Sequence, residues 1–319
     1  MSELLGTVGR LRRYPVKSML GEDLDAAELG ERGLRGDRRR AVLDVATGRI
    51  ASAKSPRLWR ALLTLDGTRP PGDAELSALL GRRVRLVESP PEGAELERSV
   101  PEEVLERGVE AEVGHTVGRL GGAAPGTFLD FAPVHLIAAS TLARIGALGP
   151  RGTVEADRYR PNLVIEPAPD GPGAAALGGP GAAGLGGPGA AGLGGPGAAG
   201  LGGPVASDGS VAAALGGSVA LDGSGAAVPG GFVENGWVGA ELLVGDEVVL
   251  AVIAPTPRCA VPTLAHGVLP RDVDALRVPA RHNQVSALGM APQPCAGAYA
   301  RVLRPGRVAK GDPVRLRVP

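Results

Sequence analysis

From about Asp170 to Gly230 the chain is almost wholly Gly, Ala, Pro, Leu, Val and Ser, and this stretch limits what the rest can fold into. Its first half repeats every eight residues, with prolines at Pro172, Pro180, Pro188, Pro196 and Pro204. The period is not three, which excludes a collagen helix. Glycine and proline interrupt every possible helical turn, and the small side chains bury too little area to offset the entropy of ordering. The segment reads as a disordered or partly extended Gly/Pro/Ala insertion at the surface. A partner-binding tether and an expanded loop both fit, and the ease with which surface loops accept insertions favours the loop. The fold is therefore left to the two flanking parts.

Those parts read as continuous structure. Tyr159-Arg160-Pro161-Asn162 leads into an apolar strand, and Gly231 to Leu250 resumes with short alternating strands broken at Gly239 and Gly245-Asp246. Further short strands are predicted over Val8–Tyr14, Asp25–Leu29, Arg40–Asp44, Val84–Glu88 and Val314–Val318. Many short strands with tight turns point to barrels or sandwiches. Helical signals are fewer: Ser55 to Thr64, Ser77 to Leu80, and Pro133 to Leu148, where Val134, Ile137, Leu142 and Ile145 recur near helical spacing. The predicted class is mainly β (α+β), with a few packed helices.

Composition narrows the functions. The 319 residues suffice for two domains with real cores. Lys plus Arg equals Asp plus Glu at 34 each, and aromatics make up 3%, so no nucleic-acid partner is expected. Two distant cysteines make neither a disulfide framework nor a C-x-x-C metal pair. The N-terminus lacks the regions of a signal peptide, and no run approaches the roughly 20 apolar residues that span a bilayer. A cytoplasmic location with no membrane span is the expectation.

One thiol has a special setting. Cys259 follows Arg258 between prolines, at the end of the apolar run Val248–Ile253. The neighbouring cation favours a thiolate, the form that binds a soft metal or attacks an electrophile. Lys17 and Ser18 follow a strand on a short turn and offer a point charge and a hydroxyl to a phosphate, although a solvated turn would look the same. Before the apolar run Ala41 to Val45, alternation puts Arg38 and Arg40 on one face and Arg39 on the other, so at least one arginine points inward, toward a carboxylate or phosphate; pairing with Asp37 or Asp44 on an edge strand is the plainer alternative. In Arg160-Pro161-Asn162 both polar residues sit on extended backbone, and Asn162 suits either the edge of a heterocycle or the cap of a turn. His115, His135 and His266 lack metal-ligand spacing. His266 is read as an exposed turn residue, with a role as proton donor to Cys259 the alternative. No H-E-x-x-H, G-x-S-x-G or G-x-G-x-x-G motif occurs.

Taken in order, these motifs resemble MOSC-domain proteins with an N-terminal β-barrel domain, near the mitochondrial amidoxime-reducing component and its bacterial counterparts. The matching stretches are Tyr14-Pro15-Val16-Lys17-Ser18, Gly33-Leu34-Arg35-Gly36-Asp37-Arg38, Pro133 to Ser140, Arg160 to Ile165, Arg258-Cys259 and Lys310 to Val314. The resemblance implies an N-terminal barrel-like domain over 1–110 and a MOSC domain over 111–319, interrupted by the insertion at 170–230. It implies that Cys259 ligates molybdenum of a molybdopterin cofactor, with the pterin dithiolene and oxo groups completing the coordination. Lys17, Ser18 and Arg38 match residues that hold the cofactor's phosphate and pyranopterin. Arg160 and Asn162 match its Arg-Pro-Asn contact, and Arg258 the basic neighbour of the metal ligand.

The implied activity is reduction of N-hydroxylated small molecules, with electrons from a separate ferredoxin-, flavodoxin- or cytochrome-type protein. A cofactor or sulfur carrier without turnover of its own would need the same ligands. The chain departs from its relatives after the cysteine, where Thr263-Leu264-Ala265-His266 replaces Thr-x-Asp. It lacks the four-cysteine iron–sulfur domain of some relatives and any pyridoxal-phosphate domain, so neither cofactor is expected in this chain.

Overall fold

In the computed structural model, which describes residues 2–120, 124, 126–168 and 231–318, seven strands close into a ring. Their order is Ser2–Arg13, Leu163–Pro167, Val134–Ala138, Gln293–Arg304, Val248–Pro257, Glu241–Val244 and Pro313–Arg317, which returns to Ser2–Arg13. The insertion expected at 170–230 lies outside the described residues.

Irregular register lets the first strand bend round the ring. Shifts between Leu4 and Gly6 and between Val8 and Arg10 break the two-residue alternation, so Leu5, Val8 and Leu11 all face the core. Gly6 is required there by close approach, because a Cβ would sit 1.7 Å from the Glu166 carbonyl oxygen. The barrel core is filled by Val134, Leu136, Leu242, Leu250, Val252 and their neighbours. All ring pairings are antiparallel except Leu163–Pro167 with Val134–Ala138. Parallel strands need a crossover, and the helix Ala139–Leu148 opens it.

This corrects one sequence expectation. Pro133 to Leu148 is not one helix: Val134–Ala138 is a strand, buried at every residue, and the helix starts at Ala139. A strand buried on both faces is a continuous apolar run, which periodicity cannot separate from a buried helix. The expected helix over Ser55–Thr64 divides into a short α-helix, Pro56–Trp59, and a 3-10 turn, Arg60–Thr64. The third helix occupies Asp73–Leu80.

Residues 41–119 pack beside the ring. Ala41–Asp44 pairs with Val84–Val87, Glu95–Ser99 pairs with His115–Arg119, and Val16, Met19, Val42, Trp59, Leu62 and Leu76 form a second core. Ala26–Gly30 pairs with Gly306–Ala309, so both ends of the chain share sheets. No helix among the described residues is long and apolar enough to cross a membrane.

Candidate active site

Four described non-glycine residues adopt a left-handed backbone: Ser18 (φ 65°), Arg38 (φ 44°), Arg160 (φ 55°) and Leu288 (φ 58°). All four line one cavity of about 380 Å³. Each such conformation costs on the order of 1–3 kcal/mol and persists only where its surroundings enforce it, so this strain, among the described non-glycine residues, is gathered at one place. The cavity opens where the Val248–Pro257 strand ends and the Tyr14–Ser18 turn begins. Lys17, Ser18, Arg38, Arg160, Asn162, Arg258 and Cys259, drawn from four separate stretches of sequence, all line it.

The hydrogen bonds explain the shape. Asp37 is buried; its carboxylate accepts from Tyr14 N at 2.7 Å, Arg38 Nη1 at 2.5 Å and Asn162 Nδ2 at 3.2 Å. Arg38 lies in a turn rather than on a strand, so alternation does not govern it, and its carboxylate partner is Asp37. Asn162 also donates to Arg12 O at 3.2 Å and accepts from His135 N at 3.1 Å through Oδ1. Both donors and the acceptor of its amide are engaged within the protein, so Asn162 fixes the cavity wall. The Ser18 hydroxyl accepts from Ala53 N at 3.0 Å.

Charge is unbalanced. Six cations, Lys17, Arg38, Lys54, Arg98, Arg160 and Arg258, line the cavity against one carboxylate, Asp130. Lys17 is buried, with Nζ 2.6 Å from Asp130 Oδ1 and 2.9 Å from Phe128 O. Burial pushes its pKa down to about 8 despite Asp130. Arg160 is left-handed rather than extended as the sequence suggests; it donates to Met19 O at 2.7 Å and stacks over Tyr14, and burial and the neighbouring Arg38 lower its pKa to about 10. No ion pair forms between Arg160 and a described carboxylate.

Arg258 and Cys259 sit on a loop held by Arg258 N donating to Pro294 O at 2.8 Å. The guanidinium donates to Tyr159 O at 2.9 Å, while its Nε is buried without a partner. Cys259 is half-buried and packs against the apolar group of Ala53, Leu63, Val261 and Leu264. His135 lies between the arginines, with Nδ1 3.4 Å from Arg160 O and Nε2 3.3 Å from Arg258 Nη1. Burial and Arg258 hold its pKa well below the usual range, and the neutral tautomer protonated at Nδ1 satisfies both contacts. Gly297 makes room for it: a Cβ there would lie 2.6 Å from His135 Nε2.

Two histidine expectations change. His266 is buried rather than exposed, because its turn folds back with Gly267 N bonded to Leu63 O. It does not line the cavity and so does not serve Cys259. His135, Lys54, Arg98, Asp130 and Tyr299 line the cavity without having been singled out for it. His135 lies within the stretch Pro133 to Ser140, whereas the others carry no local pattern.

Among the described residues no group of three His, Cys, Asp or Glu side chains gathers to hold a metal. A metal here would take one protein ligand, the Cys259 thiolate, and bring its others with it. One thiol, a surplus of cations and an unpartnered buried Arg258 Nε fit an anionic cofactor that carries its own metal ligands.

The chain matches the family model of the MOSC N-terminal beta barrel domain over residues 5–86 and that of the MOSC domain over residues 210–315, together more than half its length. The YuaD protein of Bacillus subtilis, a solved structure, is 12% identical over 99% of this chain and 98% of its own, with a TM-score of 0.40. No curated protein matches the chain. MOSC domains are associated with the molybdenum cofactor and with its sulfuration and binding. The chain belongs to the MOSC-domain proteins, with a MOSC N-terminal β-barrel domain preceding the MOSC domain.

Proposed function

We propose that this chain holds a molybdopterin-type molybdenum cofactor through Cys259 and reduces N-hydroxylated small molecules with electrons from a separate protein. The observation that carries the reading is the convergence of one thiol, six cations and three strained polar residues on one cavity. Lys17, Ser18 and Arg38 would bind the anionic end of the cofactor, and Arg160 and Arg258 its remaining charge. Asn162 and Asp37 orient that wall before any ligand arrives, so little reorganisation accompanies binding. His135 stays neutral and keeps Arg258 in place. Its lowered basicity makes it a poor proton source, and Lys17, at about 8, is the better-matched acid in the cavity.

When bound, the cofactor supplies a two-electron centre that accepts oxygen. The overall reaction breaks the N–O bond, consumes two electrons and two protons, and releases an amine or amidine and water. The test is molybdenum analysis of protein from a cofactor-competent host, followed by turnover of benzamidoxime with reduced viologen. Wild type is expected to carry molybdenum and turn over, and Cys259→Ala to lose both. Wild type without molybdenum, or Cys259→Ala that keeps it, overturns the reading; loaded protein that never turns over points instead to a carrier.

A further inference from the structure

The cations of the cavity fall into two sets. Arg38, Arg160 and Arg258 are committed to Asp37 and to backbone carbonyls. On the other side, one carboxylate serves two ammonium groups: Asp130 Oδ1 lies 2.6 Å from Lys17 Nζ, and Oδ2 lies 2.9 Å from Lys54 Nζ. That trio carries a net positive charge by itself.

Arg98 adds to it. This residue sits on the Glu95–Ser99 strand, where alternation places Glu95 and Glu97 on the face opposite to it. Both glutamates reach Arg49, at 3.9 Å and 3.5 Å. Arg98 is exposed at the opening of the cavity, and no ion pair or side-chain hydrogen bond engages it among the described residues. Arg98, Lys54 and Asp130 line the same cavity, and Lys17, Lys54 and Arg98 hold the Asp130 pKa well below the usual carboxylate range against the effect of burial. Leu129, Phe131 and Met290 supply apolar surface in the same cavity.

Building on the proposed reductase function, we propose that Arg98 and Lys54 form a substrate subsite for a carboxylate, so that preferred substrates are N-hydroxylated compounds bearing an anionic group. The cofactor would take Arg38, Arg160, Arg258 and the buried Lys17, which leaves Lys54 and Arg98; Arg98, exposed at the opening, meets what enters last. A guanidinium with free donors takes a carboxylate in two parallel hydrogen bonds, and Lys54 adds a point charge beside it. Asp130 positions Lys54 and sets a limit on the subsite, since it repels an anion that goes too deep.

The test compares benzamidoxime with 4-carboxybenzamidoxime, using molybdenum-loaded protein and reduced viologen. Wild type is expected to favour the carboxylated compound by roughly tenfold in kcat/KM, through KM, as expected for one charge-assisted hydrogen bond. Arg98→Ala should bring that ratio near one, Arg98→Lys should restore part of it, and added salt should shrink it. A ratio near one in wild type, or a ratio that survives in Arg98→Ala, overturns the proposal. So does loss of molybdenum from Arg98→Ala, which would assign the arginine to the cofactor. If neither compound turns over, the reductase reading fails separately, and calorimetric titration decides the subsite. Tighter binding of the carboxylated compound that Arg98→Ala abolishes supports it; equal binding of the two compounds overturns it.

Discussion

Arg158 and Arg160 stand two residues apart and meet opposite fates. Arg158 is fully buried, with Nε 2.6 Å from Glu155 and 3.9 Å from Asp272, and Arg151 binds the same two carboxylates. Arg160 is half-buried, left-handed and lines the cavity, and it reaches a backbone carbonyl where Arg158 reaches carboxylates. A buried cation with its charge matched belongs to the scaffold even where one donor, here Arg158 Nη2, lacks a partner, whereas one without a matching charge favours an anionic ligand. Between these two arginines, compensation separates scaffold from site where residue type alone does not.

The largest effect should come from breaking the matched side. Arg158→Ala leaves Glu155 and Asp272 with Arg151 alone and opens a void where no solvent reaches. Burial would raise Glu155, and bonds from Arg151 and Arg158 instead hold it at about 2; the variant keeps only the bond from Arg151. Removing one partner of a buried pair costs about 3–5 kcal/mol, and urea denaturation should show a loss of that order. Molybdenum content per folded molecule should remain. A loss under about 1 kcal/mol would mean that the network is not structural, and the contrast with Arg160 would fall.

Glu234 sharpens the comparison, because a buried acid can discard its charge where an arginine cannot. It lies at the return of the chain after the insertion, and its carboxyl accepts from Ala138 N at 2.5 Å. Its other oxygen is 2.5 Å from Thr141 Oγ1, and that hydroxyl, with one proton to give, also lies 2.8 Å from Gly231 O. Both contacts are satisfied only if Glu234 carries a proton and donates it to Thr141. Burial raises its pKa from 4.5 to about 7 in agreement, and no cation offsets this.

Between those two values the folded chain holds more protons than the unfolded one, so stability falls as pH rises through the window, by about 3 kcal/mol once complete. Glu234→Gln keeps the shape and the donor without the titration. The variant should match wild type near pH 4.5 and exceed it progressively up to pH 8, read as the difference in denaturation free energy. A difference that does not change with pH would show that Glu234 does not titrate there.

Much of this was readable from residues whose chemistry is local. Arg160-Pro161-Asn162, Tyr14 to Ser18 and Arg258-Cys259 announce polar groups on stiff backbone, and the structure brings all of them to one cavity. What sequence alone does not carry is the pairing of charges across long separations. Lys17 meets Asp130 at 113 residues' distance, and Lys54 has no neighbour that predicts its pairing with the same carboxylate. Val134–Ala138 misled for a different reason, since a central barrel strand and a buried helix bury the same residues. His266 read as exposed because a His-Gly turn usually is, and only the fold shows Leu63 closing over it.

The smallest effect on stability should come from Arg160→Gln, and there the two arginines part most clearly. Glutamine pays the same left-handed backbone cost as arginine, so the substitution leaves strain unchanged. It gives up the bond to Met19 O, worth about 1 kcal/mol, and removes a cation whose pKa, lowered to about 10, reports that the fold disfavours its charge. These two changes oppose each other, and the denaturation midpoint should move by no more than about 1 kcal/mol in either direction. An anion in the cavity turns the penalty into an attraction, so the loaded protein should lose what the empty one does not. Molybdenum should leave Arg160→Gln at least about tenfold faster during dialysis, equivalent to about 1.4 kcal/mol of binding. Should Arg160→Gln instead unfold like Arg158→Ala, or keep its molybdenum as wild type does, unmatched charge would no longer mark the site.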